Sequence, residues 1–159
     1  MLLCIGLTGC SAPLESGVLE RIDEHAAWCA PAADYPDAAF GAPLDFVEGS
    51  DLTILAVTAD GEENVTISEP MVMPAADLRF SVARFPPSGS FADAWASAAP
   101  AVGAVIAPGD AVDLVVRVRR TGNGDGRVAQ LVVKYEQGGA QYLAGLHEAL
   151  SIKADGCDS

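Results

Sequence analysis

Val112-Asp113-Leu114-Val115-Val116-Arg117-Val118-Arg119-Arg120 is the stretch whose reading decides the fold. Val112, Leu114, Val116 and Val118 fall on one side of an extended chain, and Asp113, Arg117 and Arg119 fall on the other. A period of two built from β-branched residues is the pattern of a half-buried strand. A second alternating run follows at 128–136, where Ala129, Leu131, Val133 and Tyr135 are expected inward and Gln130, Lys134 and Glu136 outward. Thr121-Gly122-Asn123-Gly124-Asp125-Gly126 joins the two runs and predicts a hairpin loop whose glycines take positive φ.

Short β-type runs separated by turn residues lie upstream. Leu44–Val47 precedes Glu48-Gly49-Ser50, and Leu52–Thr58 precedes Asp60-Gly61. Val65 and Ile67 anchor a third run, and Leu78, Phe80 and Val82 alternate with Arg79, Ser81 and Ala83 in a fourth. Short runs of this kind predict an all-β fold, a sandwich over 44–157. Downstream, 140–153 supports two readings. Leu143, Leu146 and Leu150 fit a helix, whereas Tyr142, Ala144, Leu146, Leu150 and Ile152 fit a strand. Gly138-Gly139 before the segment and Gly145 within it favour two strands or one bulged strand.

An Ala-rich insert lies between Phe85 and Pro108. Ser90 and Asp93 make a capping-box-like pair, and Phe91 and Trp95 are four apart, so a short helix places both rings on one side. Those rings offer either a recognition patch or a cover over the sandwich. Residues 10–43 read as a leader. Ser16 caps a short helix over Gly17–Trp28, with Val18, Leu19 and Ile22 on one face. Ala30–Pro43 carries three prolines and reads as extended linker.

The run Ala107-Pro108-Gly109-Asp110 leading into 111–118, the Gly-rich loop and Gln130-Leu131-Val132-Val133 together resemble one group of Ig-like domains. That group is the choice-of-anchor D and abnormal-spindle/Hydin type. Leu44-Asp45-Phe46 followed by Gly49 resembles the start of its repeat. The likeness covers roughly 44–155. It departs where Asp60-Gly61 replaces an "N-x-G" turn and where the Ala-rich insert lengthens the chain. The resemblance implies an Ig-like antiparallel sandwich of about seven strands, used for attachment, spacing or protein contact, with no catalytic residue to carry over.

Leu7-Thr8-Gly9-Cys10 closes an uncharged apolar run, Met1 to Leu7. This start resembles a bacterial lipoprotein signal, with small residues beside the cut and a cysteine after it. The resemblance implies removal of residues 1–9 and a lipidated Cys10. Two or three acyl chains at about 0.8 kcal/mol per methylene hold a protein stably at a membrane. Ser11 and Ala12 in place of an aspartate imply an outer-membrane or cell-surface address. The signal lacks a basic residue and is short, as a start codon placed too far downstream would make it. Removing residues 1–9 of 159 leaves one ordinary domain.

The formal charge of −13 opposes binding to phosphate backbones, so nucleic acid is excluded as a partner class, and it opposes adhesion to anionic headgroups. Such a charge suits a soluble body held by lipid. Of four cysteines, Cys4 belongs to the signal and Cys10 to the anchor. Cys29 and Cys157 remain, and in an exported chain a leftover pair reads as a disulfide. The competing reading is a metal site of His25, Cys29 and Cys157, which lacks a fourth ligand.

Other chemistry is poorly supported. A calcium loop over 121–132 lacks its first acid and its terminal glutamate, with Thr121 and Val132 at those positions. His147 and Ser151 make a dyad only on a helix. No phosphate loop or nucleophile elbow occurs. The sequence therefore predicts a lipid-anchored, exported, non-enzymatic Ig-like module without cofactor or metal. Its partners are the membrane, through Cys10, and another envelope protein. The alternative is a carbohydrate- or small-ligand-binding module that uses Phe91 and Trp95.

Overall fold

The structure is a computed structural model that describes residues 17–19, 26–46, 48–75, 77 and 79–157. Its elements in chain order are β1 (Ala26–Pro31), β2 (Asp37–Pro43), β3 (Leu52–Asp60), β4 (Val65–Pro74), β5 (Val82–Arg84), α1 (Ala92–Ala96), β6 (Ala99–Pro100), β7 (Val105–Ile106), β8 (Val112–Arg120), β9 (Gly126–Val128), β10 (Gln130–Gln137), β11 (Ala140–Leu146) and β12 (Glu148–Lys153). One layer is a five-stranded sheet in the order β5-β2-β8-β4-β6. The other combines a four-stranded sheet, β11-β10-β3-β7, with a three-stranded one, β1-β12-β9. The chain is thus an all-β sandwich, as the sequence predicts.

The two smaller sheets share one bent hairpin. β9 runs into β10 across Ala129, and β11 runs into β12 across His147. Leu131 pairs with Leu146, yet Val128 pairs with Leu150. One extra residue therefore lies on the 147–149 side, which is the signature of a bulge. The ambiguous segment 140–153 resolves as two strands. β1 then adds in parallel to β12. With β9–β10 and β11–β12 counted as one path each, the described residues hold seven long strands.

The main core lies between the layers. Phe40, Leu114, Val116 and Val118 meet Ile54, Leu131, Val133, Tyr135, Leu146, Leu150 and Ile152 there. The inward set expected of 112–120 and 128–136 is correct, apart from half-buried Val112 and Ala129. Burial of these side chains at about 1.5–3 kcal/mol each is the main force holding the layers together.

The structure corrects several local readings. β8 does not pair with β9–β10; it lies between β2 and β4. Thr121–Asp125 is accordingly an arch from one layer to the other. None of Gly122, Gly124 and Gly126 has a positive φ. Gly126 is required instead by close approach, since a Cβ there would lie 2.6 Å from Val65 Cγ1.

The body also begins earlier than residue 44. β1 and β2 are sheet strands, not linker, and Ala26–Trp28 is strand, not helix; residues 20–25 lie outside the described part. β2 is covered on both faces, so Ala38, Phe40 and Ala42 are buried in one direction and Ala39 and Gly41 in the other. Two-faced burial erases alternation. Leu44 and Phe46 are core residues of the connection after β2, not a strand, and 79–81 is irregular, with only Val82–Arg84 in the sheet. Val47 and Leu78 lie outside the described residues.

Candidate functional site

β8 directs Asp113, Val115, Arg117 and Arg119 away from the main core. The insert covers this outer face as a strap. Ala39, Met73, Phe80 and Val115 form a second small core, and Phe85, Phe91, Ala94 and Trp95 pack on it. Phe91 ends a single 3-10 turn, Gly89–Phe91, and Trp95 lies in α1, so the expected short helix is present. The expected Ser90–Asp93 capping box is not, because neither helical piece has a side-chain cap bond. Phe91 meets Phe80 edge-on at 4.9 Å, and Trp95 meets Phe85 edge-on at 5.5 Å. Both rings are half-buried and form a cover, not an open stacking platform.

Ionic groups fasten the connection before β5 and the strands of the sheet. Asp113 has no exposed side-chain surface, and Arg79 donates to its Oδ1 from Nε and Nη2 at 2.9 and 2.7 Å. Arg79 also pairs with Asp45. Burial pushes the Asp113 carboxyl up, against the pull of Arg79. At the other end of the face, Asp37 bonds Arg119 at 2.9 and 3.2 Å and also bonds Arg117. Arg119 first and Arg117 second hold the Asp37 carboxyl down at about 2. Arg117 also reaches Glu69 at 2.8 Å and lies 5.0 Å above the Phe85 ring. Asp113 and Asp37 have both carboxylate oxygens bonded, which is a fixing role.

The sheet edges differ from this locked face. Trp28, Val102, Val105 and Leu143 are the exposed large apolar side chains among the described residues. Trp28 lies on β1, Leu143 on β11, Val105 on β7 and Val102 in the turn before β7. All three strands are outermost in their sheets. Val105 is 62% exposed, so that edge presents apolar surface directly to solvent. Trp28 is oriented by its indole N–H, which donates to Glu148 at 2.9 Å. Burial raises the Glu148 carboxyl, partly offset by that bond. Strand alternation does not reveal these edges, because edge position depends on the topology.

Cys29 and Cys157 are joined by a disulfide, with their Cα atoms 6.0 Å apart. The bridge consumes both thiols that the metal reading requires, and His25 lies outside the described residues, as do Cys4 and Cys10. Beside it is an open polar cavity of about 320 Å³ lined by Cys29, Asp125, Lys153, Asp155 and Gly156. Asp125 accepts from Lys153 Nζ at 2.8 Å and from the Ala154 amide at 2.9 Å, which pins the C-terminal tail. Lys153 lowers the Asp125 carboxyl.

The remaining candidates take structural places. Arg120 donates to the carbonyls of Asn123 and Gly124 at 3.2 and 2.8 Å, so the arch turns these oxygens toward a guanidinium. His147 lies at the bulge and Ser151 in β12. Four extended residues span about 13 Å, too far for a dyad. No helix among the described residues is long and apolar enough to cross a membrane. No family model, curated protein or solved structure matches this chain.

Proposed function

We propose that this chain is an exported, lipid-anchored cell-envelope protein whose Ig-like sandwich acts as a non-enzymatic binding or structural module. The observation that carries the binding role is the placement of exposed apolar side chains on outermost strands, foremost Val102 and Val105 beside β7. An extended segment of another envelope protein adds to such an edge through main-chain hydrogen bonds, and apolar side chains supply selectivity. The disulfide supports an oxidising compartment. The Leu7–Cys10 pattern supports a lipid anchor at Cys10.

The test is crosslinking in intact cells with a photoreactive residue at Val105. A partner captured by the parent chain and lost with Val102→Asp/Val105→Asp, in a protein that still folds, supports the edge. Unchanged capture overturns it. Loss of capture with Trp95→Ala alone assigns the surface to the strap, as in the carbohydrate-binding alternative. Cys10→Ala is expected to move the protein to the soluble fraction, and retention in the membrane fraction overturns the anchor.

A further inference from the structure

We infer that the protein stands on the membrane by one defined pole: the end carrying 48–51, 107–111 and 138–139 faces the lipid, and the arch 121–125 points away. This inference rests on the lipid-anchor reading of Cys10. The two poles follow from the connections. The 44–51 connection links the end of β2 to the start of β3, and the Phe46 carbonyl accepts from the Gly109 amide, so 107–111 lies at the same end. The β10–β11 turn at Gly138-Gly139 joins them, as the Gln137 side chain donates to the Ser50 carbonyl at 2.6 Å. The opposite end gathers the arch, the β3–β4 connection and the tail bonded to Asp125.

The chain enters the body near the first pole. A Cβ at Gly17 would meet the hydroxyl of Tyr135 and lie 3.1 Å from Tyr142 Cδ1, so Gly17 rests on that ring pair. Tyr135 and Tyr142 are cross-strand partners, two pairs inside the Gln137–Ala140 closing pair. Further along the chain, Ala26 pairs beside Glu148 and Pro31 beside Lys153. The polypeptide therefore travels from the first pole toward the arch.

Reach decides the orientation. Gly17 follows Cys10 by seven residues, which span at most about 25 Å when fully extended. The Gly138 turn is three residues from Tyr135, or about 10 Å along the strand. Gly126, where the arch ends, is nine residues from Tyr135, or at most about 30 Å along a path that bends at Ala129. A fully extended tether of that length therefore clears the first pole by up to about 15 Å and has far less slack at the second. Exposed Asp45, Glu48, Asp51 and Asp110 make the first pole acidic, while Arg79 there is already paired with Asp45 and Asp113. Anionic headgroups repel that pole over a screening length of about 8 Å, which the tether's slack exceeds. The pole hangs just off the surface and is not pressed into it.

The test uses the full lipidated protein, with its disulfide intact, in phosphatidylcholine vesicles carrying a headgroup acceptor dye. A donor is attached at Ser50→Cys or at Gly122→Cys. Ser50 is exposed, and Gly122 has open space around its Cβ position. Energy transfer is expected to be at least twofold more efficient from Ser50. Adding phosphatidylglycerol is expected to lower the Ser50 transfer without reversing the order. Equal or reversed transfer in protein whose Cys10 lipid is confirmed by mass overturns the orientation and leaves the anchor standing. Absence of lipid on Cys10 removes both.

Discussion

Arg79 in the connection before β5 and Asp113 on β8 form a junction on the outer face of the five-stranded sheet, with Arg79 Nε and Nη2 at 2.9 and 2.7 Å from Asp113 Oδ1. The Phe80 amide takes the second carboxylate oxygen at 3.2 Å. A carboxylate without exposed surface depends on such donors, because an unpaired buried charge is costly.

Arg79→Ala is therefore expected to destabilise the fold by about 3 kcal/mol, the lower end for breaking a buried pair. The Arg79 side chain is 37% exposed, so water reaches part of the vacated site. Urea unfolding measures the loss, and a change below about 0.5 kcal/mol, as at ordinary surface sites, contradicts this role. Adding Asp113→Asn is expected to recover part of the loss, so the two changes are not additive.

Asp37 sets the acid limit of the outer face. Its folded value of about 2 lies below the ordinary 3.8. A lowered carboxyl contributes stability that is present above the unfolded value and lost as pH falls through the folded one. The loss is expected between about pH 4 and pH 2, and on the order of 1 kcal/mol after solvent screening. Asp37→Asn removes that part of the stability-against-pH curve in parallel urea titrations. An unchanged slope between the two proteins rejects the assignment.

What was legible in the sequence divides by environment. β8 and β10 could be read because one side of each pattern enters a single core. The pairing of β8 could not, because Asp113 and Arg117 imitate a solvent face although Arg79 and the Phe85 ring lie against them. The edges exposing Trp28 and Val105 were hidden for a related reason: alternation marks a strand but not its neighbours. The disulfide was legible by elimination among four cysteines.

β2 escaped notice because its side chains are small and both its faces are covered, and that same crowding makes Gly41 sensitive. A Cβ there would lie 2.5 Å from the Leu114 backbone oxygen and 2.7 Å from Phe80 Cδ1. The ring has some freedom to shift, but the carbonyl is held in the β2–β8 ladder. Gly41→Ala is expected to cost about 1–3 kcal/mol by overpacking. Thermal unfolding checks this, and an unchanged midpoint refutes the close approach.

Trp28 offers an optical report on Glu148. The indole N–H donates to a carboxyl that burial has raised above the ordinary glutamate range. In a Trp95→Phe protein, Trp28 is the remaining tryptophan. Its fluorescence is expected to titrate with a midpoint above 4.5. The sign is opposite to that of Asp37: Glu148 contributes stability below its unfolded value and loses it as pH rises through the folded one. Glu148→Gln abolishes the fluorescence step. A step that survives this change belongs to another group.

The Cys29–Cys157 bridge closes the chain over a separation of 128 residues. A loop of that length restricts the unfolded ensemble by about 4–5 kcal/mol in the chain-entropy account. The folded side of the balance changes little on reduction, because the tail 154–157 buries no side chain fully and is also held at Asp125. Reduction is therefore expected to lower stability by about 4 kcal/mol while the folded near-ultraviolet circular dichroism persists. The Cys29→Ser/Cys157→Ser protein is expected to match the reduced parent in its urea midpoint. Coincident midpoints for the oxidised and reduced parent contradict the entropic role. A reduced protein that loses its aromatic signal before any denaturant is added shows instead that β1 needs the bridge to stay on β12.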